Sequence, residues 1–187
     1  IQDEYSKINL NALDSLPSIA APVSAQILSL INGPRYRTMW EGDDPEGRYT
    51  TPAEVVMAIH DWIDADNSSD LFQPEIVAMD PFSQPTVFEP GTGSEDANYD
   101  MLERPYKAKN NPFMTVEELH MVRGVGDDFM REFGDKFTVY TDPALLMNLT
   151  SVNDPVMMLS LLCMQPENLP LCTEQGLPQL LETLALF

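Results

Sequence analysis

The sequence predicts a helix-rich α+β fold. Two capping boxes, at Thr51 and Thr115, each open a segment with helical apolar spacing. Short alternating stretches at Lys7–Leu13 and Phe137–Tyr140 read as strands. Hydrophobic residues make up 43% of the 187, enough for one sizeable core or two small domains sharing one.

Taken in order, Ile8, Asn9, Leu10 and Asn11 alternate as in a half-buried strand. A helix is expected from Pro22 to Ile31, with Val23, Ile27, Leu30 and Ile31 on one face. Asn32-Gly33-Pro34 ends it. Thr51-Pro52-Ala53-Glu54 places Thr at the N-cap, Pro at the first helical position and Glu at the third. Val55, Ile59, Trp62 and Ile63 follow at helical spacing, running into Asp64 and stopping near Asn67. Ser68 to Gly93 is rich in Pro, Ser, Gly and acids and reads as an extended loop with one short strand at Glu75–Met79. Thr115-Val116-Glu117-Glu118 opens the next helix, with Leu119, Val122 and Val125 behind it. Gly124-Val125-Gly126 is a helix-to-helix turn, and Phe129 and Phe133 mark a further short helix. Met147-Asn148-Leu149-Thr150-Ser151 echoes Ile8-Asn9-Leu10-Asn11-Ala12, and each is followed by a Pro-started apolar helix, at Pro155 and Pro22.

Charge narrows the function. Thirty Asp plus Glu face ten Lys plus Arg, a formal net charge of -20. Nucleic-acid binding rests on neutralising phosphates with Lys and Arg, so no nucleic-acid partner is expected. Between Arg48 and Arg104 there is no Lys or Arg but there are twelve acids. They gather at Asp64/Asp66/Asp70 and at Glu95/Asp96/Asp100, with Asn, Ser and Gly close by. Hard cations take six to eight such oxygens, and calcium suits flexible multi-carboxylate loops. Asp64, Asp66, Ser68, Asp70 and Glu75 fall at EF-hand loop positions. However, Ser69 replaces the glycine of the sharp turn and Pro74 disfavours the exiting helix, so an EF-hand is not expected. His60 and His120 lack metal-ligand spacing to one another or to the cysteines. No nucleophile elbow is present, and no enzymatic activity is expected.

Cys163 and Cys172 bracket a segment with two prolines. A disulfide closing it would imply an oxidising compartment; two free buried thiols are the alternative. No run approaches the roughly 20 apolar residues of a spanning helix. The chain opens on Ile-Gln-Asp-Glu with no signal peptide, as expected of a processed form.

An ordered series of motifs resembles the K-type minor pseudopilins of type II secretion. Asp3-Glu4 with Lys7-Ile8-Asn9-Leu10-Asn11 is similar to that family's opening strand. Asp61-Trp62-Ile63-Asp64-Ala65-Asp66 resembles its Asp-Trp-x-Asp-x-Asp segment, and Gly93-Ser94-Glu95-Asp96-Ala97-Asn98-Tyr99 its Gly-Ala-Glu-Asp-x-x-Tyr. Pro105 to Asn110 is similar to its Pro-Tyr-x-x-Asn element with one extra residue. Thr115 to Gly124 resembles its helix before the Gly turn, and Met147 to Thr150 its second Asn-rich strand.

The resemblance implies a pilin-like small antiparallel sheet from residues 1–20 and 137–187. A large α-helical domain, 21–136, would be inserted in it and carry the acidic loops, and the family's N-terminal membrane helix is absent from this sequence. It implies calcium held by Asp64, Asp66, Glu95, Asp96 and Asp100, with Tyr99 contributing packing or a carbonyl. It also implies a complex with the I- and J-type minor pseudopilins at the pseudopilus tip, in the periplasm at the inner-membrane face, serving protein export. The alternative expectation is an extracytoplasmic carbohydrate- or protein-binding module that uses Phe72, Phe82 and Phe88 of the Pro-rich loop.

Overall fold

A computed structural model describes residues 3–43, 47–73 and 87–163. Helix α1 spans Pro17–Ile31, α2 Pro52–Ile63, α3 Asp127–Phe133 and α4 Pro155–Cys163. The strands are β1 (Ile8–Asn9), β2 (Ser68–Phe72), β3 (Phe88–Ser94) and β4 (Phe137–Thr138). Short 3-10 turns link them. Among the described residues no helix is long and apolar enough to cross a membrane.

The apolar spacings place the core. Val23, Ile27, Leu30 and Ile31 of α1 are buried against Val55, Val56, Ile59 and Ile63 of α2. Leu119, Val122, Val125, Phe129, Phe133 and Phe137 complete one continuous cluster that also takes in Ile8, Leu10 and Met157. Tyr36 meets Phe133 edge-on at 4.5 Å.

Helix α2 follows its sequence signal closely. Thr51 Oγ1 accepts from the Glu54 amide at 3.2 Å, and Glu54 Oε2 accepts from the Thr51 amide at 2.8 Å. The second box, Thr115 with Glu118, forms as well, and Glu118 Oε1 accepts from the Met114 and Thr115 amides. The segment behind it is a 3-10 helix, Val116–Met121, rather than an α-helix.

Other expectations need correction. Helix α1 starts at Pro17, not Pro22. Both prolines suit a first turn, and Pro22 is carried inside the helix. The Ile8 strand lasts two residues because the Asn9 side chain accepts from the Asn11 amide at 2.9 Å and turns the chain into a 3-10 helix. Asn148 does the same to Thr150 at 3.1 Å, so the Met147 segment is a cap and a 3-10 turn and not a strand. The echo between the two segments is therefore one of Asn caps, each followed by a Pro-started helix. Finally, β1 and β4 pair parallel, Ile8 beside Phe137, where an antiparallel sheet was expected.

The stretch expected to be loop is a hairpin. β2 and β3 pair antiparallel from Ser68–Ser94 to Phe72–Phe88, with an irregularity between Ser69 and Asp70. Pro90 sits at that irregularity, where a ladder tolerates proline. A Cβ on Gly91 would strike the Ser69 carbonyl oxygen. The expected strand at Glu75–Met79 and the Cys163–Cys172 pairing lie outside the described side chains.

Gly124 holds φ +78°, and a Cβ there would lie 2.6 Å from Thr50 Cγ2 and 2.9 Å from Val55 Cγ2. Both backbone and space demand glycine. Gly124→Ala is expected to lower unfolding stability by about 2 kcal/mol or more. Thr51→Ala, which removes a cap, should lower it by only about 1 kcal/mol. Urea unfolding midpoints check both, and equal losses would contradict the assignment.

Candidate metal centre

Helix α2 ends at Ile63, and Asp64 leaves it in an extended conformation. Asp61, one turn earlier, fastens the next strand. Its Oδ1 accepts from the Asp70 amide and its Oδ2 from Ser69 Oγ, each at 3.0 Å. The intervening turn is set by Asp66, whose Oδ1 accepts from the Ser68 amide at 2.7 Å. Asn110, at φ 49°, closes over the turn. Its side chain donates to the Asp66 carbonyl and to Asn67 Oδ1, and its amide donates to the Trp62 carbonyl at 3.0 Å. The Glu95 amide donates to the Asn67 carbonyl at 3.4 Å, bringing the end of β3 against the same turn.

These contacts gather carboxylates. One group joins Asp64, Asp66 and Glu95; another joins His60, Asp61, Asp64 and Asp70. In each group the candidate ligand atoms lie within 4.8 Å of one another. Glu95 is 2% exposed and Asp64 7%. Both Glu95 carboxylate oxygens and Asp64 Oδ1 have no protein hydrogen-bond partner among the described residues. Buried charged oxygens are normally paired or bound to metal. The donor set, all carboxylate on two loops, fits a hard divalent cation.

The electrostatics agree. Burial, then the repulsion of Asp64, Asp61, Asp66 and Asp70, pushes Glu95 up to about 8. Burial, then Asp66, Asp70, Asp61 and Asp14, pushes Asp64 up to about 7. Burial lifts Asp61 to about 6 against its two hydrogen bonds, and lifts Asp70 as well. Every charge that acts on Asp64 and Glu95 is another carboxylate. Burial pushes His60 down to about 4, so it offers a neutral ring at physiological pH.

Of the residues singled out in the sequence, the structure brings Asp64, Asp66 and Glu95 together. Asp96 turns away, accepting from Lys107 Nζ at 2.9 Å and the Ala108 amide at 3.1 Å, and those bonds hold its carboxyl below the usual range. Asp100 is exposed on the turn that follows. Tyr99 is buried, stacked on Tyr106 at 5.1 Å and edge-on to Trp62 at 5.6 Å. Phe72 and Phe88 stack on one another at 5.2 Å, facing the protein's own interior contacts. His60 and Asp61, which the sequence did not mark as ligands, also join the cluster. The signal was available: His60 and Asp64 stand one helical turn apart on one face.

Residues 76–141 match the family model described as type II secretion system (T2SS), protein K. Over this third of the chain the sequence is similar to the protein K family. The matched segment contains β3, the Glu95 turn, Asn110 and the Gly124 turn. The fold also matches a chain in the crystal structure of the GspK-GspI-GspJ complex from the enterotoxigenic Escherichia coli type 2 secretion system. The TM-score is 0.56 at 20% identity, covering 87% of this chain and 48% of that one. The chain thus spans about half the length of the solved protein. At this identity the likeness is one of fold. Comparison with curated proteins gives no match.

A pH dependence follows from the raised carboxyls. The folded chain keeps protons on Asp61, Asp64 and Glu95 that the unfolded chain has released, so their contribution is lost as pH rises from about 4 through 8. In the presence of chelator the melting temperature should be several degrees lower at pH 8 than at pH 5, and Glu95→Gln should flatten that slope. A slope that is absent or reversed would contradict the burial of these groups.

Proposed function

We propose that the chain is a K-type minor pseudopilin: a structural, non-catalytic tip subunit of the type II secretion pseudopilus, joined to I- and J-type minor pseudopilins. The observation that carries this reading is the match of residues 76–141 to the protein K family, over the same segment that completes the acidic centre. The matched solved chain belongs to a complex of K with I and J proteins, which supports the choice of partners. In this reading the subunit works on the periplasmic side of the inner membrane in protein export. Its small β1–β4 sheet belongs to a pilin-like portion (1–20 and 137–187), and residues 21–136 form the inserted helical domain.

Calcium is the proposed cation, held first by Asp64, Asp66 and Glu95, with Asp96, Tyr99 and Asp100 on the adjoining turn. Its role is stability. A ligand bound only by the folded state adds RT ln(1 + [L]/Kd), about 2.7 kcal/mol at a hundredfold excess over Kd. Bound, it ties the end of α2 to the end of β3 and removes the repulsion among their carboxylates.

Calcium at millimolar concentration should raise the melting temperature by several degrees, and chelator should reverse the rise. Asp64→Asn with Glu95→Gln should abolish the response while leaving a folded chain, because neutral amides replace repelling charges. An unchanged wild-type melt would sink the metal assignment. Co-purification with I- and J-type subunits tests the assembly separately: a defined ternary complex is expected, and free subunits throughout would contradict it.

A further inference from the structure

The loop that follows β4 presents a surface unlike the rest of the molecule. Residues 143–153 carry no charge, in a chain of which 21% is charged, and no Lys or Arg follows Lys136 in the sequence. Three leucines of this loop point outward: Leu145, Leu146 and Leu149 are 54%, 50% and 59% exposed. Tyr140 and Tyr5 join them at 69% and 47%. The group is contiguous. The Asn148 amide donates to the Tyr5 carbonyl at 2.8 Å, and Tyr5, Leu145 and Leu146 line one small pocket with Ala12, Val23 and Met147. Exposed apolar residues scattered singly are ordinary, whereas a contiguous group marks an interaction surface.

Hydrogen bonds hold the loop in this form. Asn9 Nδ2 donates to the Thr141 carbonyl at 2.7 Å and to Thr141 Oγ1 at 3.0 Å, and Ser15 Oγ donates to the Pro143 carbonyl at 3.1 Å. Asp142 Oδ1 accepts from the Ala144 amide at 2.9 Å. The leucines are therefore placed before a partner arrives, which lowers the ordering cost of binding. A pocket inside an apolar collar is the form an interface hot spot takes. Charge describes the partner. Asp3 and Asp142 are exposed at the edge of the face, and Lys7, the base that lines the pocket, is paired with Glu4 at 2.7 Å. The complement of an apolar face with an acidic rim is an apolar segment edged with Lys or Arg. A second copy of this chain, at a net charge of -20, would meet the rim with like charge.

We propose that Tyr5, Tyr140, Leu145, Leu146 and Leu149 form the docking face for a neighbouring minor pseudopilin. That subunit sets an apolar side chain in the pocket and Lys or Arg against the Asp3 and Asp142 rim. The proposal rests on the reading of the chain as a K-type subunit joined to I- and J-type partners, and it assigns the surface that makes the joint. All five residues come from the stretches, 1–20 and 137–187, that this reading gives to the pilin-like portion. Of the five only Tyr140 falls within residues 76–141, the segment matched to the protein K family. The acidic centre takes no part.

The test is binding of the whole chain to a purified pair of I- and J-type subunits, followed as association and dissociation rates. Leu145→Ser with Leu149→Ser should weaken binding at least about tenfold, chiefly through faster dissociation. Asp3→Asn with Asp142→Asn keeps the acceptors of the Tyr5 and Ala144 amides but removes their charge. That variant should associate more slowly and with a flatter salt dependence. Leu71→Ser trims a leucine equally exposed on β2 and should change neither rate. All the variants should melt with the wild type. Wild-type affinity in the double leucine variant, or an equal loss in Leu71→Ser, would overturn the docking face and leave the subunit reading standing. No complex with the wild-type chain would overturn that reading and this proposal with it. A lower melting temperature with binding intact would show the leucines covered by the chain itself, and self-association abolished by the leucine variant would give the face to a second copy. Either result overturns the proposal.

Discussion

Asp61, Asp64, Asp70 and Glu95 are folded into the same small volume, each with at least nine-tenths of its surface buried. Like charges so placed are held together by the backbone, not by one another. The end of α2, the β2–β3 hairpin and the turn after β3 can meet only if this repulsion is answered. Protonation is one answer, and the upward shifts of Asp64 and Glu95 express it. A divalent cation is the other, and it alone leaves the carboxylates charged at neutral pH. The unpartnered oxygens of Glu95 and Asp64 are what that answer requires.

The surrounding architecture makes the juxtaposition rigid. Asn110 pins the Asp64–Asn67 turn from outside, Asp61 pins β2 from within, and the Trp62–Tyr99–Tyr106 aromatic group packs beneath. The hairpin depends on Gly91, which lets β3 approach Ser69 closely. A cation bound here would reinforce this juxtaposition, since cation binding free energy adds directly to folding free energy.

Much of this was legible in the sequence where local chemistry decides conformation. Thr51, Pro52 and Glu54 specify the start of α2, and the spacing of Val55, Ile59, Trp62 and Ile63 gives its buried face. The carboxylate excess pointed to Asp64/Asp66/Asp70 and Glu95/Asp96/Asp100, of which Asp64, Asp66 and Glu95 come together in one group. Other features depend on partners distant in the chain. Ser68–Phe72 and Phe88–Ser94 have weak strand composition, and only their mutual pairing makes them strands. Pro17 and Pro22 carry the same start signal, and packing chooses between them. The parallel pairing of Ile8 with Phe137 leaves no mark in either segment. His60 has no ligand spacing in the sequence to His120 or the cysteines, and only the hairpin brings Asp70 to its ring.

The proton balance of cation binding tests the central claim most directly. Calorimetric titration of the chain with calcium at pH 7, repeated in buffers of different ionisation enthalpy, counts the protons released. Because Asp64 and Glu95 sit near 7 and 8 without a cation, binding should expel about one proton or more per calcium bound. The count should fall towards zero in Glu95→Gln with Asp64→Asn. Calcium binding to the wild type with no proton release, or release unchanged in that variant, would contradict the account.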